Sequence, residues 1–405
     1  MRISKNMLLR AIVLTLVVII IVTHPGAINF FDYDQAWIYM MGISWLVGMV
    51  IMTWQVLLGV RSVVSVFTPD LLGINSIHRW LWVGTLSAIL IHPIAVLVAY
   101  GASWLYLFTL DRSWFEWRVS LGRISRIMII AILITSIISK KILRYRYWHR
   151  VHLLSYPAIV ASWFHWFGSW SLMQLPWVRL SWMVIWVILA LAIILRIKQI
   201  FAKKYQIISN KPLSDTVHEL VFDPPIDSKS GQFVYVTIDW QAHPFSLVRP
   251  NTIAYKVVWD FTRNLVNIQD TIRIDWPYWV FWDHRQSGQV CIAAGIGITP
   301  FLWLLDDQTQ LIYVNSYYDD IVYKHEVEKL CKCTHIVTRE TYPNNQSDIV
   351  WKRFDIDSLS FILGADSIHR MFYVCWWPAF VQRTIDMLIH MWVHRQRIIY
   401  ESYSL

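Results

Sequence analysis

Four histidines carry the first chemistry in this sequence. His78 and His92 lie in one apolar stretch and His152 and His165 in another, at separations of 14 and 13 residues. On a helix rising about 1.5 Å per residue, either step spans roughly 20 Å. Neutral imidazole is a strong ligand for haem iron, and histidine inside hydrocarbon is otherwise costly. Two such helices side by side would hold two b-type haems, one between His78 and His152 and one between His92 and His165. That arrangement is a path for electrons across a bilayer. A 14-residue step returns to nearly the same helix face, about 40° short of four turns. A 13-residue step is further off, so the helix carrying His152 and His165 is expected to bend, or the haems to be offset. Pro93 removes the bond to the Ile89 carbonyl and is expected to bend the other helix. His24, at a helix end, and His149, at a basic boundary, are taken as non-ligands, with His149 the rival of His152.

The elements that must position these groups are apolar. The chain has 405 residues, of which 56% are hydrophobic, and its mean hydropathy is positive. Six apolar segments, 7–23, 36–60, 77–101, 119–139, 150–169 and 176–197, occupy the first half, several only just long enough to span a bilayer. The net charge of +9 does not imply a nucleic-acid partner, because much of it flanks the apolar runs, as membrane topology requires. The segments 1–10 and 196–204 are basic, as are Arg61 and the group Lys140, Lys141, Arg144 and Arg146. The 25–35 loop has Asp32 and Asp34 and no Lys or Arg. A multi-pass protein of the cell membrane follows, in contact with lipid, with its N-terminus and everything after residue 197 cytoplasmic. The 102–118 and 168–175 loops then face outward, with His78 and His152 near the cytoplasmic side. The N-terminus has the look of a signal peptide, but no clean small-x-small site follows, so retention is expected. Four cysteines, Cys291, Cys331, Cys333 and Cys375, all fall in the second half without zinc spacing, and are expected as reduced thiols.

After Lys204 the pattern changes. Strand-like alternation marks 217–222, 233–239 and 271–275. The segment 289–294 is a buried strand running into a glycine turn, and short strands are expected at 311–315, 335–338 and 371–375. A β-barrel at 200–287 followed by an α/β nucleotide-binding domain at 288–405 fits, after a membrane domain at 1–199. Cys291-Ile-Ala-Ala-Gly295-Ile-Gly297-Ile-Thr299-Pro300-Phe301 follows a strand and opens a helix. Glycines allow close backbone approach there, and a helix N-terminus favours phosphate.

Trp148-x-x-x-His152 followed by His165 resembles the fifth helix of the ferric reductase-like transmembrane family, which includes NADPH oxidases and iron reductases. The likeness covers roughly residues 30–405, and the short form resembles bacterial NADPH oxidase homologues. Gly231-Gln232-Phe233-Val234 with His243-Pro244-Phe245-Ser246-Leu247 resembles the flavin-binding barrel of ferredoxin–NADP reductase-type domains. In that resemblance Pro244 stiffens the strand end, Phe245 supplies a flat wall, Ser246 bonds the reactive edge of FAD, and Arg249 or Arg263 balances its pyrophosphate. Thr262, by the same analogy, lies by the FAD phosphates. Gly295, Gly297, Thr299 and Pro300 resemble the family's pyridine-nucleotide loop, Cys375 its cysteine beside the nicotinamide, and Tyr403 its C-terminal aromatic that stacks on flavin.

Two departures stand out. The family has glycine where this chain has Trp259, Trp276, Trp279 and Trp376, in a sequence with 25 Trp and only 14 Gly. Glycine at such turns supplies positive φ and close approach, which tryptophan cannot. A codon read as glycine in the source organism and as tryptophan here, UGA, accounts for this; ordinary UGG codons at those positions would end the idea. With tryptophan in place, the nucleotide sites are partly blocked. The second departure is around Tyr318, where NADPH-preferring members have a nearby Arg and this chain has none. Arg339 is a candidate partner for a 2′-phosphate, and NADPH and NADH both stay open.

The resemblance implies a six-helix transmembrane haem domain joined to a ferredoxin–NADP reductase-like module. Electrons would pass from cytosolic NADPH or NADH through FAD and two haems to an external small-molecule acceptor, O2 giving superoxide first and a ferric chelate second. Trp104, Trp114, Trp117, Trp166 and Trp170 would wall the outer site, with Arg112 or Arg118 near an anion there. A non-catalytic haem-binding redox sensor or inactive relative is the alternative of a different class. The oligomeric state is left open.

Overall fold

The computed structural model describes residues 5–23, 32–60, 63–64, 71–110, 116–138, 145–166, 176–238, 241–275, 277–278, 288–340, 349–364 and 368–402. Tyr403, Trp276, Trp279, Arg112, Trp114, Trp170 and His24 lie outside them. The chain forms two compact units, Met1–Lys198 and Gln199–Leu405.

The first unit is helical: α1 (Lys5–Thr23), α2 (Tyr33–Gly59), α3 (Leu71–Ala99), α4 (Glu116–Ile138), α5 (Tyr145–His152), α6 (Ser155–Trp166) and α7 (Pro176–Ile200). Among the described residues four stretches are long and apolar enough to cross a membrane, namely Tyr33–Gly59, Ser76–Ala99, Trp117–Ile138 and Val178–Gln199. Their exposed side chains are apolar, as at Ile94, Ile134, Val187 and Leu191. α2 packs on α3, and α4 on α6. Small residues let them approach: a Cβ on Gly48 would lie 2.9 Å from the Ala88 Cβ, and one on Gly84 2.7 Å from the Ile51 Cδ1.

Sequence periodicity treats 150–169 as one helix, and the structure corrects this. The helix ends at His152 and a new one begins at Ser155. Pro157 lacks the N–H that would bond the Leu153 carbonyl, which instead accepts from Tyr156 N–H at 3.2 Å, while Leu154 N–H turns back to Val151 at 3.0 Å. Two i→i+3 bonds thus tighten the chain between the paired histidines. Pro93, by contrast, sits inside an uninterrupted α3.

The second unit begins with a closed barrel of antiparallel strands in the order β1-β2-β5-β4-β3-β6. Its strands are β1 (Lys203–Pro212), β2 (Val217–Asp223), β3 (Phe233–Ile238), β4 (Gln241–Arg249), β5 (Thr252–Lys256) and β6 (Thr271–Ile274), with the short α8 (Asp260–Val266) before β6. Alternation puts Leu220, Phe222, Val234, Val236, Phe245 and Leu247 inside. Pro244 pairs with Tyr235 in β3, and the β4–β5 pairing begins only at Leu247. The proline therefore stands where β4 is paired on one side, the position a residue without N–H tolerates.

A parallel sheet follows, in the order β10-β9-β8-β7-β11-β12. It comprises β7 (Val290–Ala294), β8 (Gln310–Asn315), β9 (Lys332–Val337), β10 (Ile349–Trp351), β11 (Phe372–Trp376) and β12 (Ile398–Ser402), with helices α9 (Thr299–Leu302), α10 (Lys324–Leu330), α11 (Ile356–Leu363) and α12 (Pro378–His390). β7 and β8 are buried along their whole length, as strands covered on both faces must be. Polar contacts join the barrel to the α/β domain beside a shared apolar cluster: Arg249 Nη2 meets both Glu326 oxygens at 3.0 and 3.1 Å, and Tyr323 Oη donates to Glu219 at 2.7 Å. The fold is thus an apolar helical region followed by a six-stranded barrel and an α/β domain.

After α12 the chain turns through Trp392 at φ +66°. Trp392 N–H bonds Ile389 and Val393 N–H bonds Leu388, both at 3.0 Å, the pairing of a helix stop that ordinarily has glycine at the left-handed position. The indole is 87% exposed, so no packing offsets the backbone strain.

Candidate functional site

In the helical unit the structure brings the four histidines together in two pairs. The rings of His78 and His152 lie 6.1 Å apart, and those of His92 and His165 also 6.1 Å apart. His149 lies one turn before His152, on the same short helix α5.

The ring nitrogens are placed by neighbouring backbone. His78 Nδ1 meets the Gln55 carbonyl at 3.1 Å, His92 Nδ1 the Met41 carbonyl at 2.9 Å, and His165 Nδ1 the Arg118 carbonyl at 2.9 Å. A carbonyl only accepts, so each Nδ1 carries the proton and each Nε2 keeps its lone pair. The step from Met41 to Gln55 equals the step from His78 to His92. Antiparallel α2 and α3 therefore form a matched ladder of carbonyls and imidazoles. His152 breaks the pattern: its Nδ1 is buried with no partner among the described residues, and Trp148 lies against its ring at 5.0 Å.

This geometry fits a haem. Two bonds of about 2 Å from a central metal to imidazole nitrogen, plus roughly 1 Å from each nitrogen to its ring centre, come to about 6 Å. Among the described residues no group of three or more His, Cys, Asp or Glu is arranged to hold a bare ion. A haem, which brings its own ring nitrogens, would need only the two imidazoles of each pair.

Residues that the sequence patterns overlooked complete this region. A Cβ on Gly122 would lie 2.7 Å from His165 Cγ and Nδ1, so that ring can reach Arg118 only past a glycine. Ser125 Oγ bonds the Ala158 carbonyl at 2.7 Å and Ser162 Oγ at 2.6 Å, clamping α4 to α6. Arg123 is buried and lies over the Tyr106 ring at 4.3 Å, while Arg126 donates to the Leu107 carbonyl at 2.7 Å. Two arginines inside an apolar span were the available signal. Arg118 lies over the Trp117 ring at 5.6 Å, and Trp104 opens an exposed 3₁₀ turn.

In the barrel, β4 sends His243 and Phe245 to one face and Ser246 to the other. The His243 ring lies 4.3 Å from Phe261, and Phe245 is 8% exposed, stacked on Phe261 at 6.1 Å in the barrel interior. Ser246 is buried. Thr262 spends its hydroxyl on its own helix, accepting from Val258 N–H at 3.0 Å and donating to the Trp259 carbonyl at 3.1 Å. Of the two arginines considered for a pyrophosphate, Arg249 is engaged: its bond to Glu326 raises its pKa and balances its charge. Arg263 is more exposed, with Asp260 3.9 Å away.

The glycine loop lies at the carboxyl end of β7. Gly295 has φ +49°, which glycine adopts freely, and the loop is one 3₁₀ turn, Gly295–Ile298. The helix after it, α9, has only four residues, shorter than the long dipole-bearing helix such loops usually open. Thr299 is buried, with its hydroxyl on the Ile296 carbonyl at 3.0 Å, and Pro300 stands in the first turn. A Cβ on Gly297 would lie 2.5 Å from the Cys375 carbonyl, and one on Gly295 3.1 Å from Trp376 Cη2. The Trp376 indole thus lies across both glycines. Cys375 is fully buried in the cluster that includes Phe301 and Tyr313. None of the four cysteines is in a disulfide, and burial pushes the Cys331 thiol up to about 12 and Cys291 upward as well.

No family model matches the chain, and no curated protein matches it. Among solved structures it is similar to the flavohem-like FAD/NAD-binding domain of nitric oxide dioxygenase from Vibrio cholerae O1 biovar El Tor, at 18% identity and TM-score 0.42 over 50% of this chain and 98% of that one. It is also similar to flavohemoglobin from Malassezia yamatoensis with bound FAD and heme, at 18% identity and TM-score 0.43 over 92% and 99%. The cytochrome b5 reductase domain of Ulva prolifera nitrate reductase is a third, at 15% identity and TM-score 0.41 over 49% and 97%.

Proposed function

We propose that this chain carries electrons from NADH or NADPH through FAD and a pair of b-type haems to an acceptor across a membrane, with O2 reduced to superoxide. The observation that carries this reading is the pair of facing imidazole couples, each 6.1 Å between ring centres. Bound FAD would supply the step from a two-electron hydride to single electrons, and bound haems the one-electron relay. The chain's own residues do the rest. The Met41, Gln55 and Arg118 carbonyls hold three imidazoles in one tautomer and orientation, which also raises their basicity as ligands. Arg263, exposed on α8, would balance a pyrophosphate. The orientation expected from loop charges puts the reductase unit and the His78–His152 pair on the cytoplasmic side.

One NADH releases a proton and two electrons, enough to reduce two O2 to two superoxide. The test uses the full chain in lipid nanodiscs with haem and FAD. NADH or NADPH should bleach the flavin, then shift the haem bands, then give cytochrome c reduction sensitive to superoxide dismutase. Rapid ferric-chelate reduction without superoxide would make it a ferric reductase of the same architecture. Flavin that never reduces, with haem still bound, would make it a sensor or inactive relative.

Gly122 offers a sharper check. Gly122→Ala puts a methyl 2.7 Å from the His165 ring, so the ring must leave the Arg118 carbonyl. Losing such an orienting bond weakens metal affinity roughly 10- to 100-fold, and the outer haem should titrate out accordingly. Gly59→Ala, with nothing within 4 Å, should leave haem content unchanged. Equal haem retention in both variants would refute the positioning role.

A further inference from the structure

We propose that the nucleotide this chain takes is NADH, and that Glu340 is the residue that decides it. The proposal rests on the reading above that a pyridine nucleotide binds at the Gly295 loop. In a parallel sheet of this order, phosphates meet the loop after the first strand and the adenosine ribose meets the end of the next. The first strand is β7 and the next is β8, which ends at Asn315.

At that edge the chain has placed its own carboxylate. Glu340 Oε2 accepts from the Tyr318 N–H at 2.9 Å. Its position is fixed by two backbone bonds that staple the ends of β8 and β9, Thr338 N–H to Asn315 and Arg339 N–H to Ser316, each 3.0 Å. Asp319 and Asp320 occupy the same turn as Tyr318. The nearby Lys324 is already engaged, 2.9 Å from the Tyr318 hydroxyl and 3.5 Å from Glu328.

A 2′-phosphate, with nearly two negative charges, would have to settle beside this carboxylate, and the N–H it would seek is taken. Like charges in contact repel and disfavour the wrong ligand. A 2′-hydroxyl meets the opposite situation. It is a donor, and a carboxylate that accepts one N–H keeps lone pairs to accept a hydroxyl as well. Arg339 supplies one cation at the strand end, exposed to solvent, where screening weakens it. Glu340 thus excludes the phosphate and accepts the hydroxyl with one group.

The experiment titrates the FAD-loaded full chain with NADH and NADPH, and with 5′-AMP and adenosine 2′,5′-bisphosphate as competitors. The adenosine probes lack the nicotinamide half and report on this edge by themselves. NADH should bind roughly tenfold more tightly than NADPH or better, and 5′-AMP should outcompete the bisphosphate. Glu340→Gln keeps an acceptor for the Tyr318 N–H but removes the charge, so the NADH advantage should shrink severalfold. Glu340→Arg should reverse it. Preference for NADPH in the unaltered chain, or a ratio that Glu340→Gln leaves unchanged, overturns the proposal while the nucleotide site stands. Binding of neither dinucleotide nor either adenosine probe removes the nucleotide-site reading and this proposal together.

Discussion

Trp376→Gly should tighten nucleotide binding by roughly thirtyfold. The indole lies on the two glycines whose bareness is the reason for a loop of this kind: its Cη2 is 3.1 Å from a Cβ position on Gly295 and its Cε3 3.1 Å from one on Gly297. A dinucleotide that brings its phosphates to that backbone must first expel the ring. Removing a half-buried aromatic side chain from its packing costs about 2 kcal/mol, which as a binding penalty is about thirtyfold in Kd. Glycine at 376 removes the penalty, and titration of the FAD-loaded chain with NADH measures it. An unchanged Kd would mean that the indole moves aside freely and the loop was open all along. One further tryptophan sits as poorly. Trp392 holds a left-handed turn with its ring in solvent, a conformation that costs roughly 1–2 kcal/mol in any L-residue but not in glycine. Trp163 is the contrast, stacked on Trp182 at 4.6 Å and Trp186 at 3.9 Å in the helical core. If UGA is read as glycine in the source organism, the gene has UGA at 259, 376 and 392 and UGG at 163, 182 and 186. UGG at all six positions ends that explanation.

What a sequence reader can see here follows from what residue type encodes. Apolar length announces the spans around α2, α3, α4 and α7, because hydrocarbon thickness sets a minimum run. Alternation finds β2, β3 and β6, since one barrel face is buried. The histidine spacings foreshadow the facing rings, because helix geometry converts residue number into height and angle. The rest depends on partners that no local pattern names. Carbonyls of Met41, Gln55 and Arg118 hold the imidazoles, and every residue has a carbonyl, so nothing in those side chains marks the role. Arg249 looks free for a pyrophosphate until the fold puts Glu326 against it. The break between α5 and α6 was legible in principle. Pro157 stands within a run that apolar periodicity joins, and its missing N–H is a stronger statement than the hydropathy around it.

Replacing either outer histidine should remove one haem and all transmembrane output. His92→Ala or His165→Ala deletes one of the two imidazoles that would hold this haem, from a pair whose ring centres lie 6.1 Å apart. Loss of an orienting bond alone weakens a metal site roughly 10- to 100-fold, and loss of the ligand itself must cost more. Haem content by pyridine haemochrome should halve and superoxide production should fall to background. NADH should still reduce the flavin and the remaining haem, because the His78–His152 pair is untouched. His149→Ala is the control, and it should retain full haem content, since the ring facing His78 belongs to His152. The two pairs should also differ in firmness. Both outer imidazoles have Nδ1 on a carbonyl, whereas His152 Nδ1 has no partner among the described residues, so His152 would be the less basic and less firmly oriented ligand of its pair. Chelation or competing imidazole should therefore strip the inner haem before the outer one. The reverse order, or full haem content after His165→Ala, would show that the carbonyl ladder does not govern how these sites hold iron.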